Sequence, residues 1–213
     1  MFVGERMSHP VIAVSPEIPI HDVLVMFKKE HIRRAPVMKD DKLIGIVSES
    51  DLLNASPSPI TSLSVWEMNY LISKVTVKQV MSKKVKTIDI DTPIEEAARI
   101  MADSKIGGMP VMRSGKVVGI ITETDLFKIF LELMGARTKG IRVTAEIDDH
   151  AGQLAKVTKA IADEGGNFIS FGQFSGNDPS TKILTFKIAG IKKDNVQKAL
   201  TKYVKKFWDI RQS

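Results

Sequence analysis

The sequence predicts an α+β protein: two tandem β-α-β-β-α repeats, then a third unit of order β-α-β-β-α-β. Three observations carry this. Residues 7–53 align with 81–127 at a constant offset of 74, without a gap and with 15 identities in 47 positions. Within each repeat the apolar residues alternate between the strand period of 2 and the helix period of 3.6. Beyond Gly135–Gly140 the repeat stops and a new alternation starts at Arg142.

The coincidences of the duplication include Met7/Met81, Ser8/Ser82, Pro36/Pro110, Gly45/Gly119, Glu49/Glu123 and Asp51/Asp125. Two tandem copies of a small unit are expected to pair about a pseudo-two-fold axis, since neither can bury its sheet face alone. In the second copy Val85–Ile88 is a short strand. Thr92-Pro93-Ile94-Glu95 then has the residues of a capping box, with Thr92 as N-cap, Pro93 at the first helical position and Glu95 at the third. The helix that follows buries Ile94, Ala97, Ala98 and Met101, and Gly107-Gly108 are expected to stop it. Met109–Met112 and Val117–Ile121 are strands around the Ser114-Gly115 turn, and Glu123 to Leu133 is a helix. The first copy gives Val11–Val14, Ile20–Lys29, Ala35–Met38, Leu43–Val47 and Glu49–Leu53. Thr61–Ser73 is a linking helix. The predicted domains are therefore 1–60, a linker over 61–78, 79–136 and 140–213.

In the third unit Arg142–Ile147 is a strand and Gln153–Glu164 a helix ended by Gly165-Gly166. Strands over Phe168–Phe174 and Lys182–Ile188 flank the turn at Gly176-Asn177-Asp178-Pro179. A helix near Asp194–Val204 and a strand near Phe207–Ile210 complete it. This is the ferredoxin-like plan, a four-stranded antiparallel sheet with both helices on one face. The bare face is expected to need a cover, with a second chain the cheapest one.

Composition excludes several classes. At 43% apolar and 26% charged, the 213 residues can bury a core. The lack of cysteine removes disulfides, thiolate zinc sites and a cysteine nucleophile. There is no run of 18 apolar residues and no apolar leader at Met1–Pro10, so no membrane span is expected and a cytoplasmic location is. Of the net charge of +6, five units lie beyond residue 137, where 13 basic residues face 8 acidic ones. Lys192, Lys193, Lys198, Lys202, Lys205 and Lys206 sit at helical spacing with no aromatic stacking pattern and no recognition motif before them, which argues against nucleic acid. His9, His21, His31 and His150 have no ligand spacing, so no metal is expected. No nucleophile meets a base, and there is no phosphate loop or dinucleotide fingerprint. No catalytic residue is predicted.

What repeats is Gly45-Ile46-Val47-Ser48-Glu49-Ser50-Asp51 and Gly119-Ile120-Ile121-Thr122-Glu123-Thr124-Asp125. A strand ends, a hydroxyl residue follows, and an aspartate sits in the first turn of a helix. One reading is a cap, with Ser48 and Thr122 as N-caps. However, Asp is a methylene shorter than the usual Glu partner. The other reading leaves Asp51 and Asp125 free to accept hydrogen bonds from a vicinal diol such as ribose. Spacing alone does not choose between them.

With its duplication, Met-Ser at each start, Ile106-Gly107-Gly108-Met109-Pro110-Val111 and the Asp-ended segments, the first two thirds resemble a tandem pair of CBS domains. Residues 142–211, with Asp148-Asp149-His150-Ala151-Gly152-Gln153-Leu154 between strand and helix, resemble an ACT domain. The whole chain is similar to the acetoin-utilisation protein family. The first resemblance implies an adenine nucleotide or S-adenosylmethionine as regulatory ligand in two clefts, with no other cofactor. Asp51 and Asp125 would hold the ribose, and Ser48 and Thr122 would lie beside it or the phosphate. Ile12, Ala13, Lys86 and Thr87 would border the adenine, as would Ala35-Pro36 and Met109-Pro110. Arg33 and Arg34 would meet phosphate. Because Gly107 and Gly108 replace that pair in the second copy, the two clefts are expected to be unequal. The second resemblance implies an amino-acid loop at Asp149, Gly152, Gln153 and Leu154, or dimerisation alone.

The expected protein is thus a non-catalytic regulator, a homodimer or larger, acting on an unidentified target protein in acetoin or central carbon metabolism. The alternatives are an interaction scaffold with empty clefts, an amino-acid sensor, an enzyme that turns over a nucleotide or acetoin-pathway metabolite, and a nucleic-acid binder using the basic C-terminal helix.

Overall fold

Each repeat follows one plan down to its irregularities. In the computed structural model, which describes residues 1–55 and 74–213, helix α1 (Ile20–Lys29) buries Ile20, Val23 and Phe27. Strands β1 (Arg34–Lys39) and β2 (Lys42–Ser48) form an antiparallel pair, and helix α2 (Glu49–Asn54) follows directly. After a short helix α3 (Val77–Val80), the second repeat runs β3 (Ile88–Asp89), α4 (Ile94–Ser104), β4 (Gly108–Arg113), β5 (Lys116–Thr122) and α5 (Glu123–Leu133). A register shift falls between Val37 and Met38 and again between Val111 and Met112, the same place in both copies. The linking helix expected over Thr61–Ser73 lies outside the described residues.

Three local expectations change. The strand at Val11–Val14 shrinks to a single parallel bridge, Val14 to Val37, and its counterpart to Ile88–Asp89. The Thr92 capping box does not form: Pro93 takes the N-cap position, while Thr92 is held in a turn by Asp89 and its carbonyl accepts the Val3 amide at 2.9 Å. Lys105, not a glycine, adopts the left-handed conformation that ends α4, with φ of 53°. Gly108 instead begins β4.

The described residues divide into two compact units, Met1–Leu126 and Phe127–Ser213. Within the first unit, each repeat lends its leading segment to the other. Val3 is fully buried among Ile88, Ile90, Ala97, Met101 and Met109 of the second repeat. Val77 is fully buried with Ile20, Val23, Phe27 and Val37 of the first. Backbone pairing is equally reciprocal. Ser8 exchanges two hydrogen bonds with Ile120 (2.9 and 3.1 Å), and Ser82 exchanges two with Ile46 (2.9 and 3.0 Å). Gly45 and Gly119 are needed at these crossings, because a Cβ at either would run into the thioether of Met81 or Met7. The expected pseudo-two-fold pairing is therefore an exchange of strand edges and core residues.

In the second unit, β6 (Ile141–Asp148) alternates cleanly, burying Ile141, Val143, Ala145 and Ile147. They pack with Leu184, Phe186 and Ile188 of β8 (Thr181–Ala189), Val157 and Ile161 of α6 (Gln153–Asp163), and Val196 and Leu200 of α7 (Lys193–Leu200). With β7 (Asn167–Ser175) and β9 (Lys206–Gln212) the sheet order is β7-β8-β6-β9, every neighbour antiparallel. Helix α7 ends earlier than expected, as the chain turns to place the Lys205 amide on the Glu146 carbonyl at 2.8 Å.

The other face of this sheet is mixed rather than wholly apolar, with Ile183 and exposed Phe174 in register with Glu146. The alternate residues of β6 are polar: Thr144 meets Thr185 at 3.2 Å and Arg142 pairs with Asp209 at 3.0 Å. Part of that face is covered from within, since buried Lys187 donates from Nζ to the carbonyls of Gly135 and Thr138, each at 2.9 Å. Among the described residues, no helix is long and apolar enough to cross a membrane.

Candidate functional site

Ser48 ends β2 in extended conformation, so its side chain points back over the first turn of α2 as an N-cap. The cap reading, left open by the shorter reach of Asp, holds at this helix. Asp51 Oδ2 accepts from the Ser48 amide at 2.8 Å and from Ser48 Oγ at 2.6 Å, and the Asp51 amide lies 3.3 Å from Ser48 Oγ. A tight first turn brings the shorter carboxylate close enough. Because Ser48 spends its one proton on Asp51, Ser50 Oγ, 2.8 Å away, donates to Ser48. All the bonds to the Asp51 carboxylate go to Oδ2; among the described residues Oδ1 accepts none. The cap and ligand readings are therefore compatible.

These groups line a cleft of about 400 Å³ that the second repeat completes. The exchange of strand edges builds it: Ser82 pairs with Ile46, so the chain beyond it, Lys84-Val85-Lys86, passes the Asp51 helix start. The opposite wall is Ser104 to Gly108. Lys86 Nζ donates to Ser104 Oγ at 2.7 Å.

Arg34 crosses from the first repeat onto Gly107-Gly108. A Cβ at Gly108 would stand 2.7 Å from Nη1, and one at Gly107 would overlap the guanidinium. The glycines that replace the arginine pair in the second copy are thus the seat of Arg34. Its Nη1 is buried and has no hydrogen-bond partner among the described residues. Burial pushes the Arg34 guanidinium below its ordinary pKa; Glu123 opposes this, Arg33 adds to it and Asp51 opposes it. An arginine nonetheless stays protonated.

The corresponding residues of the second repeat differ. Asp125 is 5% exposed. Its Oδ2 accepts from the Thr122 amide at 2.9 Å and from Thr122 Oγ1 at 2.7 Å, while Ser8 Oγ lies 3.5 Å from Oδ1.

Of the residues named from sequence, Ser48, Asp51, Arg34 and Lys86 meet in the Asp51 cleft. Thr122 and Asp125 form the second helix start. Ala35, Pro36, Met109 and Pro110 are buried in β1 and β4, where Ala35 and Met109 face the cores rather than a cleft. Arg33 is exposed, and Ile12, Ala13 and Thr87 lie outside the Asp51 cleft. Sequence reading missed Lys84, Lys105 and the glycine seat; the repeat offset marks them, since neither lysine nor either glycine has an identical partner in the other copy.

In the second unit, Gly152 has φ of 81° at the start of α6, a conformation suited to glycine. Asp149 pairs with Lys182 at 3.3 Å, and Leu154 is partly exposed. Gln153 is a correction to the expected ligand loop: it is buried and donates from Nε2 to the Tyr203 carbonyl at 2.8 Å, holding α6 to the turn after α7. Among the described residues no cluster of His, Asp or Glu could hold a metal ion.

Residues 3–58 and 77–132, together more than half of the chain, match the CBS domain family. An uncharacterised protein of Methanocaldococcus jannaschii is 31% identical over 155 residues, 62% of this chain and 92% of that protein. The crystal structure of the CBS domain pair of protein MJ0100 in complex with 5′-methylthioadenosine and S-adenosyl-L-methionine is similar with a TM-score of 0.52. It is 26% identical and the match covers 65% of this chain and 98% of that one. A crystal structure assigned as an acetoin utilization protein (AcuB) from Vibrio cholerae is 27% identical, with a TM-score of 0.53 and coverage of 64% and 95%.

Proposed function

Because this chain belongs to the CBS domain family, we propose that its first unit is a regulatory module that binds an adenosyl compound in the Asp51 cleft. The observation that carries this is a single cleft holding a carboxylate with one oxygen left to accept, neighbouring serine hydroxyls, and a buried arginine nitrogen without a partner. Asp51 Oδ1 can take a ribose hydroxyl while Oδ2 keeps the helix capped. The MJ0100 pair supports the ligand class, since it is in complex with two adenosyl compounds. A ligand wedged between repeats that share their cores would act by binding one arrangement of the pair more tightly than another.

Thermal unfolding with AMP, ADP, ATP, S-adenosylmethionine and NAD, each against buffer, tests this reading. At a hundredfold its dissociation constant, a binding compound adds roughly 2.7 kcal/mol to native stability. No shift with any of the five, from protein free of co-purified nucleotide, would favour a scaffold whose cleft stays empty. Turnover of one of them, abolished by Asp51→Ala in a folded chain, would instead indicate an enzyme.

For the second unit, the order β7-β8-β6-β9 and the glycine at the start of α6 support an ACT-type module. With Gln153 turned inward and Asp149 paired, assembly is the favoured role over amino-acid sensing. Exposed Phe174 and Trp208 on the two edge strands, and exposed Phe127 and Phe130 on α5, support a homodimer. Sedimentation equilibrium of the full chain is expected to give twice the monomer mass of 23.6 kDa. A monomer at micromolar concentration would remove this part of the proposal. The likeness to the Vibrio cholerae protein supports a place in acetoin or other carbon metabolism, with a target protein still to be found.

A further inference from the structure

We infer that Met7 and Met81 are paired sites of reversible oxidation, and that their sulfoxides release the segments the two repeats exchange. The inference does not depend on any ligand in the Asp51 cleft.

Position is the first ground. Met7 and Met81 coincide at the offset of 74, and each lies within an exchanged segment. The Met7 amide donates to the Val3 carbonyl and the Met81 amide to the Val77 carbonyl, each at 2.8 Å. Those valines are the residues buried in the opposite repeat. The next residues, Ser8 and Ser82, bridge to Ile120 and Ile46. The side chains cross over as well: Met7 packs on the core of the second repeat and Met81 on that of the first.

Packing is the second. The atom nearest to a Cβ built at Gly45 is the sulfur of Met81, and at Gly119 it is the sulfur of Met7. The carbonyl oxygens of Ser82 and Ser8 adjoin the same two places. Those carbonyls already accept from the Ile46 amide at 3.0 Å and the Ile120 amide at 3.1 Å. A thioether needs no hydrogen bond and fits beside committed donors. A sulfoxide oxygen is a strong acceptor. Left without a donor there it is costly to keep out of water, and if it captures one of these amides the strand pairing breaks.

Chemistry is the third. The chain has ten methionines and no cysteine, so reversible oxidation of its sulfur falls on thioethers. A hydroperoxide transfers one oxygen atom: the O–O bond breaks, an S–O bond forms, and the peroxide leaves as water or an alcohol. Two thiols of a sulfoxide reductase reverse the step, leaving as a disulfide while the oxygen departs as water. Met7 and Met81 are half-buried, whereas Met101 and Met109 lie in the core of the second repeat. Oxidant therefore reaches the exchange points before that core.

Titrating the full chain with hydrogen peroxide tests it, with peptide mass spectrometry to locate each oxygen and thermal unfolding to follow the fold. Exposed Met1 is the internal control. The expected result is one oxygen on each of Met7 and Met81 before any on Met101 or Met109. The unfolding midpoint should then fall by about 5 °C or more and return after treatment with the two methionine sulfoxide reductases. A chain carrying Met7→Leu and Met81→Leu should keep its midpoint at the same peroxide dose, although Met1 is still oxidised. Should that variant not fold, the sites and the midpoint of the wild-type chain still decide. Met7 and Met81 left intact while Met1 is fully converted overturns the inference. So does oxidation at both with the midpoint unchanged, a fall that the reductases do not reverse, or an equal fall in the folded double variant.

Discussion

Removing residues 1–8 is expected to destabilise the second repeat more than the first, although those residues precede the first. Val3 is fully buried in the second repeat's core, and the amides of Val3 and Gly4 bond to the carbonyls of Thr92 and Ile90 at 2.9 Å each. Val3→Ala removes two buried carbons, about 1.6 kcal/mol, plus a cavity term. Val3→Asp puts a carboxylate among Ile88, Ile90 and Met101 with no cation in that cluster. That penalty is several kcal/mol, comparable to the whole stability of a typical domain of about 5–15 kcal/mol. Hydrogen exchange locates the damage. Amides of Met109, Val111 and Ile121 should lose protection in Val3→Asp before those of Ala35, Val37 and Val47. Val77→Asp should reverse the order, because Val77 occupies the first repeat's core. Loss in the repeat that carries the substitution by sequence would show that exchanged segments do not hold the pair together.

Gly107→Val is expected to abolish ligand-dependent stabilisation while leaving the unliganded protein close to wild type. The atoms its side chain would meet belong to the end of the Arg34 side chain, which can swing away. The exchange of a glycine for a β-branched residue outside a helix then costs little. The guanidinium, however, loses its seat and is held away from the cleft. Thermal unfolding measured with and without AMP separates the two effects: the unliganded midpoint should move by a few degrees at most, and the AMP-induced shift should vanish. A variant that keeps the full shift would show that Arg34 does not need its glycine seat to serve the ligand. A variant that loses stability without ligand would place Gly107 in the fold rather than in the site.

The paired helix starts show where reading residues in isolation falls short. In the sequence, Ser48-Glu49-Ser50-Asp51 and Thr122-Glu123-Thr124-Asp125 are equivalent, and the choice between cap and ligand stays open. In the structure both aspartates cap, yet Asp51 keeps an oxygen in an open cleft and Asp125 is buried. The difference comes from what the other repeat brings to each place, and neighbours far away in the chain leave no local pattern. Arg34 makes the same point. Its basic character was legible, but its direction depends on Gly107 and Gly108 lying opposite, and the two facts meet only after folding. The Thr92 box failed for a related reason, because the Val3 amide holds the Thr92 carbonyl and the turn to Asp89 holds its amide.

By itself the sequence determined the elements whose signals are local. The 3.6 period placed α1 and α5 at their observed bounds, the alternation of Ile141, Val143, Ala145 and Ile147 placed β6 and its buried face, and the offset of 74 exposed the duplication. These follow from the repeat distance of helix and strand, which any stretch of chain must obey. Tertiary structure alone decided which repeat completes which core, which aspartate stays open, and where the positive charge gathers. Each depends on contacts between segments far apart in the chain, and burial and hydrogen-bond supply at such contacts are settled only once both sides are in place.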